Sequence, residues 1–384
     1  MISNINATIK CKALKKQYLS FVKQYEKKEQ KYSLEELLLQ KGFTDEWKET
    51  LKGRKLNIYF YGKDEFQDKS GFIQDLEKTC NLTYFTKSDG SYGRYDDDLF
   101  YLGVSGKDMN TNKLIESIES KILKNKKPDF IIFQALGKSF NVEKLKKYKE
   151  SMKLKFINIC LDDRLIFKTH SSYNGYNNGA IGLKSIVDLA LVANPEVVQW
   201  YLKESIPAIY FPMASSKDFY YPINNIAKKY DVGFIGNKYG YREELVTKLI
   251  EAGINVEARG TGWKAGRIKL EDNNKFFNEC KIVLGIGTVG HCKDFYTQKL
   301  RDFDAPLSGA VYVTHNNEDL KQLFTENEEI ILCDTIEDYI EKIKYLLHNE
   351  KKRQSISKNA YKKASEKHTY EKRFLNLFTF LGVI

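Results

Sequence analysis

Lys299-Leu300-Arg301-Asp302-Phe303-Asp304-Ala305-Pro306-Leu307-Ser308-Gly309-Ala310-Val311-Tyr312-Val313-Thr314 reads as a short helix, a glycine stop and an apolar strand. Gly309 stands where helices commonly end. Ala310–Thr314 has the β-branched and aromatic character of a buried strand. A helix that feeds straight into such a strand is the repeating step of a parallel α/β sheet. Lys299 and Arg301 put two cations on the helix, and Asp304 follows Arg301 by one turn, close enough to share its face. A surface ion pair of little energy would explain that spacing. The position of the helix, between a glycine-rich loop and a buried strand, gives the charges a further use: positive charge for a diphosphate and an acid for ribose hydroxyls.

The same step recurs on both sides of this stretch. Asp231–Gly236, Asn255–Arg259, Lys281–Ile286, Ala310–Thr314 and Glu329–Cys333 read as five strands, with helices at 242–252 and Ile336–Leu347 among the connections. Upstream, Leu56–Tyr61, Leu82–Phe85, Asp129–Gln134, Lys155–Leu161, Leu189–Ala193 and Ala208–Phe211 read as strands, with helices at 111–124 and 141–150. Strands alternating with helices make parallel sheets buried on both faces. Two such series predict two doubly wound, Rossmann-like domains facing across a cleft. The expected divisions are a basic helical segment at 1–55, an acceptor domain at 56–225, a nucleotide-sugar domain at 226–365 and a helix at 366–384 that packs back on the first domain.

Composition narrows the function classes. The 384 residues carry a net charge of +11, and residues 1–55 hold thirteen Lys/Arg against seven Asp/Glu. A basic face attracts nucleic acid, anionic lipid or an acidic substrate; a lysine-rich solvated surface is the plain alternative. No basic strand interleaved with aromatics stands out, so nucleic acid is not expected. The six cysteines form no C-x-x-C pair and no cluster with histidine at zinc spacing, and several lie in apolar runs. They read as reduced thiols of a cytoplasmic protein, and the basic face leaves open peripheral contact with the inner face of the membrane. No long apolar run follows Met1, so no secretory leader is expected.

Ligands of open α/β sheets bind beyond the carboxyl ends of the strands, so the residues just after each strand matter most. Gly236 and Asn237 open a turn that leads through Gly240 to Arg242 at a helix start, where free N–H groups favour an anion; a simple tight turn is the alternative. Gly260, Thr261, Gly262 and Trp263 follow the next strand. The glycines permit close backbone approach, and Trp263 either meets a base or covers the sheet edge. Gly287 and Thr288 follow the third strand, near His291. Lys299, Arg301 and Asp304 complete the donor-binding set. In the first domain, Asp162-Asp163 follows a strand, and His170 precedes a polar, glycine-rich loop. Asp162, Asp163 or His170 could orient an acceptor or act as a general base, with Arg301 as the catalytic cation.

Residues 230–378 resemble the CgeB-like (spore-maturation) glycosyltransferases, which have the GT-B fold. The resemblance rests on Phe234-Ile235-Gly236-Asn237, Arg242-Glu243-Glu244-Leu245, Arg259-Gly260-Thr261-Gly262-Trp263, Lys299-Leu300-Arg301-Asp302-Phe303-Asp304, Glu318-Asp319-Leu320 and His368-Thr369-Tyr370. It implies a hexosyltransferase-type enzyme of bacterial surface-glycan or glycoprotein synthesis. Such an enzyme moves a sugar from a nucleotide-diphosphate sugar to a protein, lipid-linked or polysaccharide acceptor. It implies no cofactor and no required metal. In GT-B relatives a Glu at the place of Asp304 binds the ribose and another stands eight residues earlier, where this chain has Tyr296. Those departures keep open a non-catalytic nucleotide-sugar-binding partner; a basic nucleic-acid or anionic-surface binder is the other alternative.

Overall fold

The computed structural model describes residues 2–63, 65–169, 177–290 and 292–384. They form two compact units, each assembled from two pieces of chain. The first unit holds residues 20–212 and 373–384, and the second holds 1–19 and 213–372.

The strands of the first unit are β1 (Asn57–Tyr61), β2 (Asn81–Tyr84), a small hairpin of β3 (Phe100–Tyr101) and β4 (Val104–Ser105), β5 (Phe130–Phe133), β6 (Phe156–Cys160), β7 (Leu189–Val192) and β8 (Ala208–Tyr210). All but the hairpin join one sheet in the order β2-β1-β5-β6-β7-β8, and every pairing in it is parallel. β5, β6 and β7 are buried along their whole length, as a sheet covered on both faces requires. The helix Tyr370–Phe380 belongs mainly to this unit. Its Phe374 lies 5.0 Å from Phe72 and 5.7 Å from Phe211, and Phe378 lies 6.4 Å from Phe130.

The second unit has β9 (Tyr230–Ile235), β10 (Val256–Arg259), β11 (Cys280–Leu284), β12 (Val311–His315) and β13 (Ile331–Cys333), all parallel, in the order β10-β9-β11-β12-β13. Alternate residues Val232 and Phe234, Ile282 and Leu284, Val311 and Val313 pack on one face against Leu245, Leu249, Tyr339 and Ile343 of two covering helices. The register puts Ile282 beside Val311 and Val232, so the branched side chains form one continuous layer. Each predicted strand is present, with ends displaced by a residue or two. The hairpin was not foreseen.

Two expectations change. Residues 1–55 are not a separate segment: the helix Ile2–Lys27 contributes residues to both units, and the helices Leu34–Gln40 and Asp45–Glu49 belong to the first. The break before Leu34 is set by a capping box, in which Ser33 Oγ accepts from Glu36 N at 3.2 Å and the Glu36 carboxylate accepts from Ser33 N at 2.7 Å. The chain also changes unit at Pro212–Met213 and Lys372–Arg373 instead of near 225 and 365. The residues just before the expected boundary at 225 are pinned to the second unit by side-chain amides. Asn274 Oδ1 accepts from Tyr221 N at 3.1 Å and Asn278 Oδ1 from Ile223 N at 2.8 Å.

The reading of all cysteines as reduced thiols is also corrected. Cys11 and Cys292, 281 residues apart, form a disulfide with Cα atoms 5.2 Å apart. Cys80, Cys160, Cys280 and Cys333 are free and buried. Among the described residues no helix is long and apolar enough to cross a membrane.

Candidate anion-binding site

The sheet of the second unit reverses its winding between β9 and β11. Its neighbouring strands β10 and β11 leave β9 on opposite sides, which opens a crevice beyond their carboxyl ends. Arg301 spans that crevice. Its Nη1 donates to Ile235 O at the end of β9, at 2.6 Å, and its Nη2 donates to Ile286 O just past β11, at 3.1 Å. The short helix Arg301–Leu307 places it there. Within that helix Asp302 closes the first turn by accepting from Lys299 N at 2.7 Å, and its other oxygen accepts from the Tyr312 hydroxyl.

Arg242 enters the same crevice from the first turn of the helix Tyr241–Glu251. It is buried and donates from Nη1 to Asn237 O at 3.2 Å. A β-carbon placed on Gly236 would lie 3.1 Å from Arg301 Nη1 and 3.3 Å from Arg242 Nη1, so both guanidinium groups converge on one point of backbone. Both also lie over the Phe234 ring, at 4.9 Å for Arg301 and 5.9 Å for Arg242, and Arg242 stacks on Tyr239 at 4.3 Å. Among the described residues neither arginine forms an ion pair, and the Nε of each has no partner. Burial, then repulsion from Arg301, pushes the Arg242 pKa down to about 10. Two cations pressed together in a crevice, neither in an ion pair among the described residues, suit an anion.

The predicted glycine loops form one wall. Gly236 N donates to Arg259 O at 2.8 Å, Lys238 N donates to Thr261 O at 2.9 Å, and Thr261 N donates to Asn237 Oδ1 at 3.3 Å. Trp263 Nε1 donates to Gly236 O at 2.7 Å, and its ring meets Phe234 edge-on at 6.1 Å. Gly262 packs on the Lys238 side chain. Gly260 has φ +135°, and a β-carbon there would come within 2.3 Å of Gly236 O. Gly287 and Thr288 lie on the other wall, just past β11, with Lys299 close enough to act electrostatically on His315.

Asp304 departs from expectation. It is buried, it forms no ion pair with Arg301, and its Oδ1 accepts from Ser215 Oγ at 2.7 Å. Burial raises its pKa to about 8, against the opposing effects of the Ser215 hydrogen bond, Arg301 and Tyr220. An acid held protonated among internal partners is poorly placed to grip ribose hydroxyls.

In the first unit, Asp162 is exposed and lines a cavity of about 100 Å³ with Lys63, Gln67, Arg94 and Gln134. The cavity sits at the reversal point of that sheet, beyond β1, β5 and β6. Asp163 departs from the expected open base. It is fully buried, its Oδ1 accepts from Arg164 N at 2.9 Å, and burial and the Glu196 charge push its pKa well up. His170 and His291 lie outside the described residues.

Five of the thirteen basic residues of the N-terminal stretch form ion pairs among the described residues. Lys15 pairs with Asp294, Lys28 with Glu204, Lys48 with Asp45, Lys52 with Glu49 and Arg54 with Asp129. Among the described residues no three His, Cys, Asp or Glu side chains gather where they could hold a metal ion.

His315 ends β12, and its Nδ1 accepts from Gly287 N at 3.2 Å.

Residues 242–379 match the family described as glycosyl transferase-like. No curated protein matches the sequence. Among solved structures the chain is similar to Anabaena Alr3699/HepE in complex with UDP-glucose, at 10% identity over 85% of this chain and 99% of that one, with a TM-score of 0.59. It is similar to sucrose-phosphate synthase from Thermosynechococcus elongatus, at 10% identity over 85% and 98% of the two chains, TM-score 0.57. It is also similar to AviGT4, a glycosyltransferase involved in avilamycin A biosynthesis, at 12% identity over 85% and 98%, TM-score 0.53. The fold is that of the GT-B glycosyltransferases.

Proposed function

We propose that the protein is a glycosyltransferase of the CgeB-like kind, taking its sugar from a nucleotide-diphosphate sugar held by Arg242 and Arg301. One observation carries the reading: two guanidinium groups converge on Gly236, at the reversal point of the sheet, and neither is in an ion pair among the described residues. As the glycosidic bond breaks, the departing diphosphate gains negative charge. Cations already in place stabilise that charge more in the transition state than in the ground state. Because the arginines supply this charge, the reaction runs without a metal. Asp162, the exposed carboxylate of the Asp162-Asp163 pair, takes the acceptor side, and a protein, lipid-linked or polysaccharide hydroxyl is the acceptor.

Thermal-shift measurements with UDP, GDP, TDP and CDP in excess chelator test this. UDP comes first because Alr3699/HepE was solved with UDP-glucose. One of the four raises the melting temperature of the wild type, and Arg301→Ala abolishes the rise and lowers turnover by ~10²-fold. No shift with any of them overturns the reading. A shift that appears only when Mg²⁺ replaces the chelator overturns metal independence alone.

The placement of Asp304 among Ser215 and Tyr220 favours one second reading, a non-catalytic nucleotide-sugar-binding protein. Such a protein shows the shift but neither transfers the sugar nor hydrolyses the donor.

A further inference from the structure

The hairpin of β3 and β4 carries apolar side chains that the fold of the first unit does not use. Leu99 is 54% exposed, Phe100 74% and Val104 37%, and Leu102 is fully exposed. Other exposed large apolar residues of this unit, such as Leu39 and Leu123, stand singly. The strands pair Phe100 with Ser105 and Tyr101 with Val104, so Leu102 and Gly103 form a two-residue turn. Both have positive φ, +52° and +81°. Such a turn favours Asn-Gly or Asp-Gly, and a leucine in that conformation is strained. The tip therefore holds a large apolar side chain where backbone conformation and exposure both oppose it. Folding gains nothing from Leu102.

The base of the hairpin is fixed, so the tip is held outward. Gly106 N donates to Leu99 O at 2.8 Å. The buried Asn110 side chain accepts from Tyr95 N at 2.8 Å and donates to Tyr95 O at 3.1 Å. A β-carbon on Gly106 would lie 1.8 Å from Asp96 O, so the two ends of the hairpin meet with no room for a side chain. Tyr101 is half-buried behind the tip, its ring 5.0 Å from that of Tyr95 and its hydroxyl accepting from Asp96 N at 2.9 Å. The charges around the base nearly cancel. Arg94 pairs with Asp97 and Lys138 with Asp98, and Asp108 accepts from Ser105 and Asn141. Asp96 and Lys107 are exposed, one of each sign.

A base so close to neutral gives nucleic acid or another polyanion nothing to hold, and the attraction left is apolar. The exposed fractions amount to fewer than three whole side chains, at most roughly 700 Å² even at the size of a large aromatic. Each partner of a stable protein complex buries ~800 Å², so a folded protein or a second copy is poorly matched. A lipid surface needs no matching area. Each two-residue strand rises ~7 Å, within the ~5–10 Å to which interfacial elements enter the headgroup–acyl boundary. Tyr101 then stands at headgroup level, which suits a tyrosine. We propose that the β3–β4 hairpin docks the first unit on a membrane, with Leu99, Phe100, Leu102 and Val104 entering the lipid. Arg94, the partner of Asp97 at the foot of the hairpin, also lines the Asp162 cavity. A docked tip puts that cavity beside the headgroups and makes the acceptor a lipid-linked one; this last step rests on the reading of Asp162 as the acceptor side.

Sedimentation tests it with vesicles of phosphatidylcholine alone and of phosphatidylcholine with phosphatidylglycerol, in low and in high salt. The proteins are the wild type, Leu102→Asn and the double variant Phe100→Thr/Leu102→Asn. The wild type sediments with both kinds of vesicle and stays bound in high salt. Asparagine suits the turn better than leucine, so Leu102→Asn melts at or above the wild-type temperature while binding vesicles ~10-fold more weakly. The double variant stays in the supernatant. A wild type that sediments with neither vesicle overturns the proposal. Binding that needs phosphatidylglycerol and vanishes in high salt overturns it too, because a basic face then does the docking. Leu102→Asn that binds as tightly as the wild type removes the tip from any docking role. A wild-type dimer that the double variant splits on size-exclusion chromatography gives the tip to a second copy instead. Vesicle binding uses neither nucleotide nor acceptor. Its failure therefore leaves the Arg242–Arg301 reading standing, and an absent nucleotide shift leaves the hairpin standing.

Discussion

Arg242 and Arg301 lie over one phenylalanine ring, and neither forms an ion pair among the described residues. Such an arrangement costs stability in the free protein and is relieved when an anion enters. Asp304, three residues from Arg301 on the same short helix, turns away to Ser215. Its carboxyl titrates in the fold at about 8, against an ordinary value of 3.8. Between those two values the folded protein keeps a proton that the unfolded chain has released, so stability falls as pH rises from about 4 to about 8. The contribution is complete below 3.8 and gone above 8. Asp304→Asn removes that slope. Thermal melts from pH 4 to pH 8 should show the variant gaining on the wild type as pH rises. Parallel pH profiles for the two proteins would mean that Asp304 is ionised in the fold.

At the level of strands and loops, the crevice wall depends on two turns that lie against each other beyond β9 and β10. Gly260 is the point of closest approach, with a positive φ and room for no side chain against Gly236 O. Gly260→Ala should therefore destabilise the unit by about 1–3 kcal/mol and separate the Gly236 turn from the Thr261 turn. Urea unfolding measures the first effect, and a weakened thermal shift with nucleoside diphosphate measures the second. An unchanged shift would free the wall from any part in binding. The strands were legible because their apolar runs and glycine-marked ends are local signals. The glycine turns and Arg242 were legible because they follow strands, and Arg301 because its short helix stands between a glycine-rich loop and a buried strand. The direction of Asp304 was not, since it depends on Ser215 and Tyr220, far away in sequence. Asp163 looked like its neighbour Asp162, and only the turn after β6 buries one and exposes the other. β12 ends one residue later than its apolar pattern suggested, at His315.

Across the whole chain, neither unit is one continuous piece. Cys11 belongs to the second unit through a disulfide to Cys292. Spacing alone could not reveal that bond, because neither cysteine has a partner nearby in sequence. A disulfide of this kind contributes ~2–4 kcal/mol, and here its loss falls first on the helix it ties down. Cys11→Ser should speed amide hydrogen exchange at Ile9–Leu19 before any change in β9–β13, with the same result for the wild type in reductant. Exchange at Ile9–Leu19 that ignores reductant would remove the bond from the fold's support. The split of the first unit bears on how the protein is made. A ribosome releases β1 through β8 long before Phe374 and Phe378, so the sheet waits with Phe72, Phe130 and Phe211 bare on an aromatic seam. Exposed seams of this kind invite aggregation during synthesis. A nonsense codon upstream of Tyr370 would leave the seam bare for good, and its product would be cleared by chaperones and proteases before it could bind anything.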